Sequence, residues 1–233
     1  IAKKVEEVKK GGGIAAVSFV PQNAKRMAPL AVEAGADMIV VQGTVVTARH
    51  SSKSLKGLVF ADLIKDLDVP VLVGNTVSYE VTKELMQQGI AGVMVGVGPG
   101  SVCTSREVLG IGIPQVSATI ECAAARDDYF KETGKYIPII TDGGIRTGGD
   151  VCKSFAAGAN AVMIGSPFAK TEEAPAKGFH WGMAAWHDSL PRGTRINMGT
   201  EYSLHQLLYG PSSRTDGTLN LVGALQICMG YVG

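Results

Sequence analysis

The sequence predicts an α/β fold of parallel strands, of the (β/α)8 barrel type. Short apolar runs bounded by glycine alternate with segments of helical periodicity, which is the pattern of parallel βα units. One unit recurs, in which a glycine ends a helix and an apolar strand follows, at Ala34–Val41, Ala157–Ile164 and, more loosely, Gln88–Val95. No GxGxxG motif opens a first helix, which argues against the alternative, a doubly wound open sheet that binds a dinucleotide.

The elements follow from local patterns along the chain. Helices are predicted at 24–34, where apolar residues recur every three or four positions, and at 78–88, where Ser78 is a good N-cap. Thr147-Gly-Gly-Asp150 has the spacing of a capping box that opens a further helix. Runs rich in Val and Ile without strict alternation predict strands buried on both faces. These runs lie at 14–20, 37–42, 69–74, 92–97, 137–141 and 160–165.

Six βα units are two fewer than a (β/α)8 barrel contains. The first residue is isoleucine, not methionine, and the missing units are expected on the N-terminal side of this chain. We therefore predict a single catalytic barrel domain over residues 1–233 that is incomplete at its N-terminus. Residues 167–233 form a tail without repeats, in which 167–201 is predicted to be an active-site flap, because long loops in compact domains are usually functional.

Composition narrows the classes of partner. The 233 residues carry a net charge of +1, which gives no electrostatic reason to expect nucleic acid or an anionic membrane. The longest uncharged stretch, Leu85–Ser105, contains five glycines and Pro99, so we do not expect it to span a membrane. The four cysteines form no CxxC pair, so neither a zinc site nor a disulfide framework is predicted, and the expected compartment is the reducing cytoplasm.

The first candidate site is the glycine-rich loop Gly96–Arg106, which follows the fourth predicted strand. Active-site loops of barrels follow the strands. Cys103 lies here among hydroxyl side chains, three residues before Arg106, and a partly exposed cysteine near a cation is nucleophilic as its thiolate. The alternative is a small buried apolar residue, which is our interpretation of the cysteines on helical patterns. Those are Cys122, Cys152 and Cys228.

Glycine turns after the last two predicted strands form the second candidate. Asp142-Gly143-Gly144 follows one strand and Gly165-Ser166 the next, which is where barrels bind phosphate through backbone N–H groups and a helix N-terminus. Asp142 would suit ribose hydroxyls; alternatively, the glycines only make turns. Asn75, at the end of the third strand, either reads a carboxamide or base edge or caps a turn. The four histidines show no spacing typical of a metal site.

Longer motifs extend this interpretation. Gly98–Arg106 followed by Gly112-Ile-Pro-Gln115 strongly resembles the catalytic cysteine loop of the IMP dehydrogenase/GMP reductase family. Asp142–Arg146, Ala161–Ser166 and Met229–Gly233 also resemble segments of that family, so the resemblance covers nearly the whole chain. It is closest to a short bacterial branch related to IMP dehydrogenase that lacks CBS domains.

The resemblance implies a (β/α)8 barrel that assembles as a homotetramer and converts purine nucleotides in the cytoplasm, without nucleic acid or membrane partners. Cys103 would attack C2 of the purine. In the dehydrogenase, a hydride then passes from IMP to NAD, and water hydrolyses the adduct to XMP. In the reductase, ammonia leaves GMP and NADPH reduces the adduct to IMP.

The resemblance also assigns roles to residues at matching positions. Besides Cys103, a catalytic role falls to Ser105, which stands where the family usually has a mechanistic threonine. The nucleotide would be bound through its phosphate, ribose and base by Ser101, Asp142, Gly143, Gly144, Gly165, Ser166, Gly182 and Met183. NAD would be bound by Gln42, Asn75, Gly96 and Gly98. Potassium would be held by the backbone carbonyls of Gly98, Gly100 and Cys103.

Three departures from the family's pattern concern the direction of the reaction. Gln42 stands where the family has a cofactor-side aspartate, the flap's Arg-Tyr pair has no counterpart in 184–191, and Arg192 replaces a base-reading Glu or Gln. We hypothesise that Arg192 activates or orients the hydrolytic water; the alternative is a contact with purine O6 or with an acid of a neighbouring subunit. The predicted function is IMP dehydrogenase, with GMP reductase and a non-catalytic nucleotide-binding protein as alternatives. The intact Cys103 loop argues against the last of these.

Overall fold

A computed structural model describes residues 1–48, 57–182, 188–193 and 195–232. The chain forms two compact units. The first unit comprises Ile1–Val95 and Glu121–Ile139, and the second unit comprises Gly96–Ile120 and Ile140–Gly233.

Helices and short strands alternate along most of the chain. In order they are α1 (Ala2–Lys10), β1 (Ala16–Phe19), α2 (Pro21–Glu33), β2 (Met38–Gln42), α3 (Phe60–Lys65), β3 (Val71–Thr76), α4 (Tyr79–Gln87), β4 (Gly92–Val95), α5 (Ser105–Leu109), α6 (Gln115–Thr133), β5 (Ile139–Asp142), α7 (Gly148–Ala156), β6 (Ala161–Met163), α8 (Ser166–Ala169), β7 (Phe179–His180), β8 (Ile196–Asn197), α9 (Leu204–Tyr209) and α10 (Leu221–Val232).

The first unit contains four parallel strands that pair in chain order. In the register Ala16 pairs with Met38 and Ile39 with Val71, and β3 pairs with β4 in the same direction. The three strands β2, β3 and β4 are almost wholly buried. Their apolar side chains form the core of this unit, as expected for strands covered on both faces.

The repeated helix–glycine–strand unit is confirmed. Gly35, Gly89 and Gly158 follow α2, α4 and α7 with φ values of 93°, 86° and 100°, in the left-handed region where side chains other than glycine are strained. Their amides donate to carbonyls of the last helical turn, for example Gly35 to Val32 at 2.8 Å. Each helix therefore ends at the glycine that the sequence indicated.

The predicted helix starts are also confirmed. Ser78 caps α4 by accepting the amide of Val81 at 3.4 Å. At α7 the Thr147 hydroxyl accepts the amide of Asp150 at 3.2 Å, and the Asp150 carboxylate accepts the amide of Thr147 at 3.1 Å. This reciprocal pair is a complete capping box. Pro29 lies inside α2, which continues past it to Glu33.

The second unit holds the parallel pair β5–β6 and the C-terminal helices. Ile140 pairs with Ala161 and Asp142 with Met163. Helix α10 packs closely on α7, since a Cβ at Gly148 would overlap that of Ala224. A separate apolar cluster ties α9 to the start of α10. It consists of Tyr202, Leu207, Leu219 and Leu221, with Ile164 and Phe168 packed against it.

Two expectations differ from the structure. The outer strands β1 and β6 are not buried on both faces, and within the described residues each pairs with a single strand. The predicted loop 167–201 contains part of α8 and the antiparallel pair β7–β8, in which His180 is opposite Ile196. The α/β class and the six predicted strands of the βα units are confirmed. Among the described helices, none is long and apolar enough to cross a membrane.

Candidate active site

Cys103 lies in a tight turn of the second unit. Its amide donates to the carbonyl of Gly100 at 3.0 Å, and its side chain is half-buried. Helix α5 begins two residues later at Ser105. The thiol is therefore held in a short, ordered turn while part of it remains accessible.

Arg106 holds this loop in shape. Its guanidinium Nη2 donates to the carbonyl of Ile113 at 2.8 Å. Its side chain passes so close to Gly98 and Gly112 that a Cβ there would lie 2.8 Å and 2.6 Å away from it. Glycine is therefore needed at both positions, because the Arg106 side chain fills the space that a Cβ would occupy. The sequence suggested that Arg106 acts as a cation near Cys103, whereas the structure gives it a contact that closes the loop.

Two buried hydroxyl groups follow Cys103. The side-chain oxygens of Thr104 and Ser105 are buried and make no hydrogen bond within the described part of the chain, and Ser105 is fully buried. Leaving a buried hydroxyl unbonded costs about 1–3 kcal/mol. Such groups are available to a water or to a bound ligand.

The glycine turn after β5 packs on the cysteine loop. Gly143 and Gly144 have φ values of 91° and 80°. A Cβ on Gly143 would lie 3.1 Å from Pro99 and 3.3 Å from the amide of Gly100, and one on Gly144 would lie 3.2 Å from Pro99. Because both positions face the loop without a side chain, the two backbones approach closely.

The turn after β6 joins the same place. The hydroxyl groups of Ser101 and Ser166 form a hydrogen bond with each other. We call Ser101, the turn Gly143–Gly144 and the turn Gly165–Ser166 the glycine cradle. The second unit thus brings together the predicted nucleophile's loop and both predicted phosphate turns, although they are up to 65 residues apart in the chain.

A histidine that the sequence did not indicate covers one side of the cradle. A Cβ on Gly165 would lie 3.0 Å from Cε1 and 3.1 Å from Nε2 of His180. His180 is half-buried, and burial lowers the pKa of its imidazole. In the sequence, the one feature that could have indicated His180 is its position two residues before Gly182, which is a predicted substrate-binding residue. Beside it opens a cavity of about 460 Å³, whose lining includes Gly165, Phe168, Glu173, Phe179, His180 and Trp181.

Asp142 and Gly96 meet at the base of the loop. Gly96 has a φ of 141°, and a Cβ there would overlap the Asp142 carbonyl and lie 2.7 Å from Gln115. The Gln115 amide donates to the same carbonyl at 3.4 Å. A side chain at Gly96 would therefore clash with the surrounding protein atoms.

The first unit contains a buried amide pair. Gln42 Nε2 donates to Asn75 Oδ1 at 2.9 Å, and the two residues are only 9% and 6% exposed. Ser18 adds a longer hydrogen bond to Gln42 Oε1 at 3.4 Å. The peptide bond between Gly74 and Asn75 is cis. The side chains of two residues that are predicted to bind the cofactor thus hold each other in place.

Of the remaining predicted site residues, two lie in the described part of the chain and one does not. Gly182 is half-buried at the end of the segment that follows β7, whereas Met183 lies outside the described residues. Arg192 is half-buried, and its amide donates to the carbonyl of Leu190 at 2.7 Å. In the described ranges no group of His, Cys, Asp and Glu side chains could hold a metal ion.

The other cysteines differ from Cys103. Burial raises the pKa of the Cys122 thiol to about 11, although a hydrogen bond from Thr82 at 3.1 Å opposes that rise. Burial, together with the neighbouring Cys228, also raises the pKa of Cys152. Cys122 is fully buried. These environments suppress thiolate formation, in agreement with the interpretation that they are structural.

The chain is similar to known proteins along most of its length. A family model described as IMP dehydrogenase / GMP reductase domain matches residues 2–188. An uncharacterized oxidoreductase of Mycolicibacterium smegmatis is 42% identical across 98% of this chain. The inosine-5'-monophosphate dehydrogenase of Aquifex aeolicus is 39% identical across 94% of this chain and 46% of its own length.

A solved structure matches as well. The crystal structure of an IMP dehydrogenase/GMP reductase-like protein from Corynebacterium glutamicum has a TM-score of 0.86 to this chain, at 39% identity, and the match covers 97% of this chain. This chain covers 62% of the M. smegmatis protein and 59% of the C. glutamicum chain. It therefore spans less than two thirds of the length of either relative.

Proposed function

Because the chain belongs to the IMP dehydrogenase/GMP reductase family, we propose that it oxidises IMP to XMP with NAD. The observation that carries this proposal is the convergence of the Cys103 turn with the glycine cradle in one unit. A nucleophile beside an anion-binding surface suits a substrate that carries both a phosphate and an electrophilic carbon.

Cys103 supplies the covalent step. Its thiolate would add to C2 of the hypoxanthine ring, and the hydride at C2, with both electrons of the C–H bond, would leave to a hydride acceptor, the chemistry that NAD would supply. Water adds to C2 of the resulting adduct and loses a proton, and the C–S bond breaks, which yields XMP and restores the thiolate. The half-buried position of Cys103 leaves its sulfur open to this attack.

The glycine cradle holds the phosphate in this proposal. Gly143, Gly144 and Gly165 provide backbone without side chains, and Ser101 and Ser166 add hydroxyl groups. Asp142, at the end of β5, binds the ribose hydroxyls. We assign contacts with the base to Gly182 and Met183.

The cofactor's nicotinamide is bound by Asn75 in our proposal, and Gln42 acts as a positioning residue. The 2.9 Å hydrogen bond between them fixes the orientation of the Asn75 amide, which suits recognition of another carboxamide. Gly96 and Gly98 contact the cofactor through backbone. NAD supplies the hydride acceptor when it is bound.

Hydrolysis requires an activated water. We assign Arg192 to this step, together with Ser105, whose side-chain oxygen makes no hydrogen bond within the described residues. Carbonyls of Gly98, Gly100 and Cys103 are oxygen donors of the kind that suits potassium. Such an ion would stabilise the loop that carries the nucleophile.

The decisive experiment is a pair of turnover assays on the purified protein. We expect NADH formation with IMP and NAD, and we expect no loss of NADPH with GMP. The Cys122→Ala variant, which removes a buried thiol, controls for general effects of cysteine substitution. Reduction of GMP with NADPH in place of IMP oxidation would identify a GMP reductase and overturn the proposed direction. Light scattering tests the accompanying proposal of a homotetramer, and fractionation tests that of a cytoplasmic location.

A further inference from the structure

We propose that Cys152 and Cys228 are a thiol pair that a small disulfide oxidises, so that a reversible disulfide bond joins α7 to α10. Both helices belong to the second unit, and neither cysteine has a part in the proposed reaction. The inference therefore stands apart from the proposed function and from the direction of that reaction. It assigns a site of oxidation to two side chains that otherwise serve only in packing.

Helices α7 and α10 approach each other closely at Gly148. A Cβ on Gly148 would overlap that of Ala224, and it would lie 3.8 Å from the Cα of Ala224 and 3.9 Å from the Cα of Leu221. A disulfide joins residues whose Cα atoms are about 4.4–6.8 Å apart. At this level the two backbones are therefore within the reach of a disulfide.

The two cysteines lie one helical turn beyond this contact. Cys152 follows Gly148 by four positions, and Cys228 follows Ala224 by four positions. Residues four positions apart lie on the same face of a helix, one above the other. Cys152 and Cys228 are thus carried by the facing surfaces of the two helices.

The sulfur of Cys152 reaches the turn of α10 that carries Cys228. Its thiol donates to the carbonyl of Ala224 at 3.6 Å. In an α-helix that carbonyl also accepts the amide four residues later, which is the amide of Cys228. The side chain of Cys228 is in turn a hydrogen-bonding neighbour of the Cys152 thiol. The two thiols therefore already contact each other in the reduced protein.

The pair is also open to a small reagent. Cys152 and Cys228 are both half-buried, whereas Cys122 is fully buried. The Cys122 thiol contacts the hydroxyl of Thr82 at 3.1 Å, so its close polar neighbour is an alcohol. Cys152 and Cys228 thus combine partial exposure with a second thiol at the position that a disulfide requires.

Oxidation of the pair by a small disulfide takes two exchange steps. The thiolate of one cysteine attacks a sulfur of the small disulfide, so a mixed disulfide forms and the first small thiolate leaves. The second cysteine, as its thiolate, attacks the protein sulfur of the mixed disulfide, which forms the Cys152–Cys228 bond and expels the second small thiolate. Two electrons pass to the small disulfide, and the two protons lost by the cysteines are taken up by the small thiolates. Excess small thiol reverses both steps.

The surroundings of the pair make this oxidation slow near neutral pH. Burial, and then the neighbouring Cys228, raise the pKa of the Cys152 thiol, so little of the attacking thiolate is present. In a reducing compartment the two side chains therefore stay as thiols and pack as small apolar groups. They become linked when small disulfides accumulate, and the link is removed when small thiols return.

The disulfide would close a long loop of chain, from residue 152 to residue 228. This loop contains β6, the turn Gly165–Ser166 and α9, whereas Cys103 lies outside it. A cross-link that closes a long loop stabilises a fold by restricting the unfolded chain. Oxidation should therefore lower the equilibrium constant for unfolding by about tenfold or more.

The test incubates the purified protein with oxidised glutathione at about pH 8, where more thiolate is present than at pH 7. Free thiols are then blocked with iodoacetamide, and trypsin digestion without reduction places the four cysteines in four different peptides. We expect mass spectrometry to find the peptide Thr147–Lys153 joined to the peptide that begins at Thr215, and dithiothreitol to separate them. Mixed disulfides alone at Cys152 and Cys228, no oxidation at either, or a main cross-link to Cys103 would overturn the proposal.

Variants connect the cross-link to stability. Oxidation should shift the denaturant midpoint of the wild-type protein upwards, and reduction should restore it. Cys152→Ser and Cys228→Ala should each abolish the shift, whereas Cys122→Ala should keep it in full. A shift of wild-type size in Cys152→Ser would mean that another modification causes it, and the proposal would fail. If one variant does not fold, the other variant and the wild-type peptide map still decide. Because no measurement uses a purine nucleotide, its result is independent of the proposed reaction.

Discussion

The polar residues of the candidate site form hydrogen bonds with each other in the first unit, whereas those in the second unit are more open. In the first unit, Gln42 and Asn75 are buried and hydrogen-bonded to each other at 2.9 Å. In the second unit, Cys103 and the serines of the cradle are half-buried or exposed, and bare glycine backbone surrounds them. A buried, bonded pair stabilises one orientation before any ligand arrives, whereas an open cradle contributes its hydrogen bonds when the ligand binds. Substitutions in the two places should therefore have different consequences.

The largest effect is expected in the second unit, at the nucleophile. Cys103→Ala should reduce turnover by at least about a thousandfold, because no other group can form the covalent adduct. Nucleotide binding should persist, since the cradle is unchanged. Quenched-flow assays and calorimetry with IMP measure the two quantities separately.

The buried cysteine provides the control for that substitution. A 6-chloropurine nucleotide should label Cys103 and leave Cys122 unmodified, because burial removes access to Cys122 and raises the pKa of its thiol to about 11. Labelling at Cys122, or substantial turnover by Cys103→Ala, would contradict the assignment of the nucleophile.

Arg192→Ala tests whether hydrolysis of the adduct can be slowed without weakening the binding of IMP. If Arg192 activates water, hydrolysis should slow by about a hundredfold, while the first turnover still releases a burst of NADH. The adduct should then accumulate on Cys103, which mass spectrometry of quenched samples detects. A raised KM for IMP without a burst would show instead that Arg192 binds the substrate.

Gly165→Val should weaken the open cradle. The new Cβ would lie 3.0–3.1 Å from the His180 ring, and the two methyl groups beyond it would intrude on the place that we propose for the phosphate. IMP affinity should fall by roughly tenfold or more, and inosine affinity much less, because only IMP uses the anion contacts. Gly230→Ala, at a helical glycine with nothing within 4 Å, should change neither; equal losses for IMP and inosine would show that the turn only shapes the fold.

The features that the sequence predicted depend on interactions between residues that are close in the chain. Glycine in the left-handed conformation ends a helix whatever surrounds it, which is why the helix ends at Gly35, Gly89 and Gly158 were predictable. The capping box at Thr147 depends on a spacing of three residues. The motif around Cys103 is specific enough that the match to the family model confirmed the resemblance drawn from it.

The features that it missed depend on contacts between distant residues. His180 meets Gly165 across 15 positions of the chain, and nothing in the local pattern records that approach. Arg106 turns back across Gly98 and Gly112 instead of lying free beside Cys103. The strands β7 and β8 have two residues each, which is too short for any periodicity to appear.

The smallest effect is expected in the first unit, at the bonded pair. Asn75→Ala removes the acceptor of a 2.9 Å hydrogen bond from Gln42, and losing a buried hydrogen bond of this kind destabilises the fold by about 1–3 kcal/mol. Since Asn75 also faces the nicotinamide in our proposal, the KM for NAD should rise severalfold. The affinity for IMP should stay unchanged, because the cradle belongs to the second unit.

Ser18→Ala is the matched control, since it removes only the longer 3.4 Å hydrogen bond to the same glutamine. A bond of that length is weak, so both the free energy of unfolding and the KM for NAD should stay near the wild-type values. Denaturant titration and steady-state kinetics measure the two effects. If Asn75→Ala lowered IMP affinity as much as NAD affinity, the pair would not act separately from the cradle, and the contrast between the two units would fail. If it lowered stability alone, the Gln42–Asn75 pair would be structural, and the cofactor's amide would have to be recognised elsewhere.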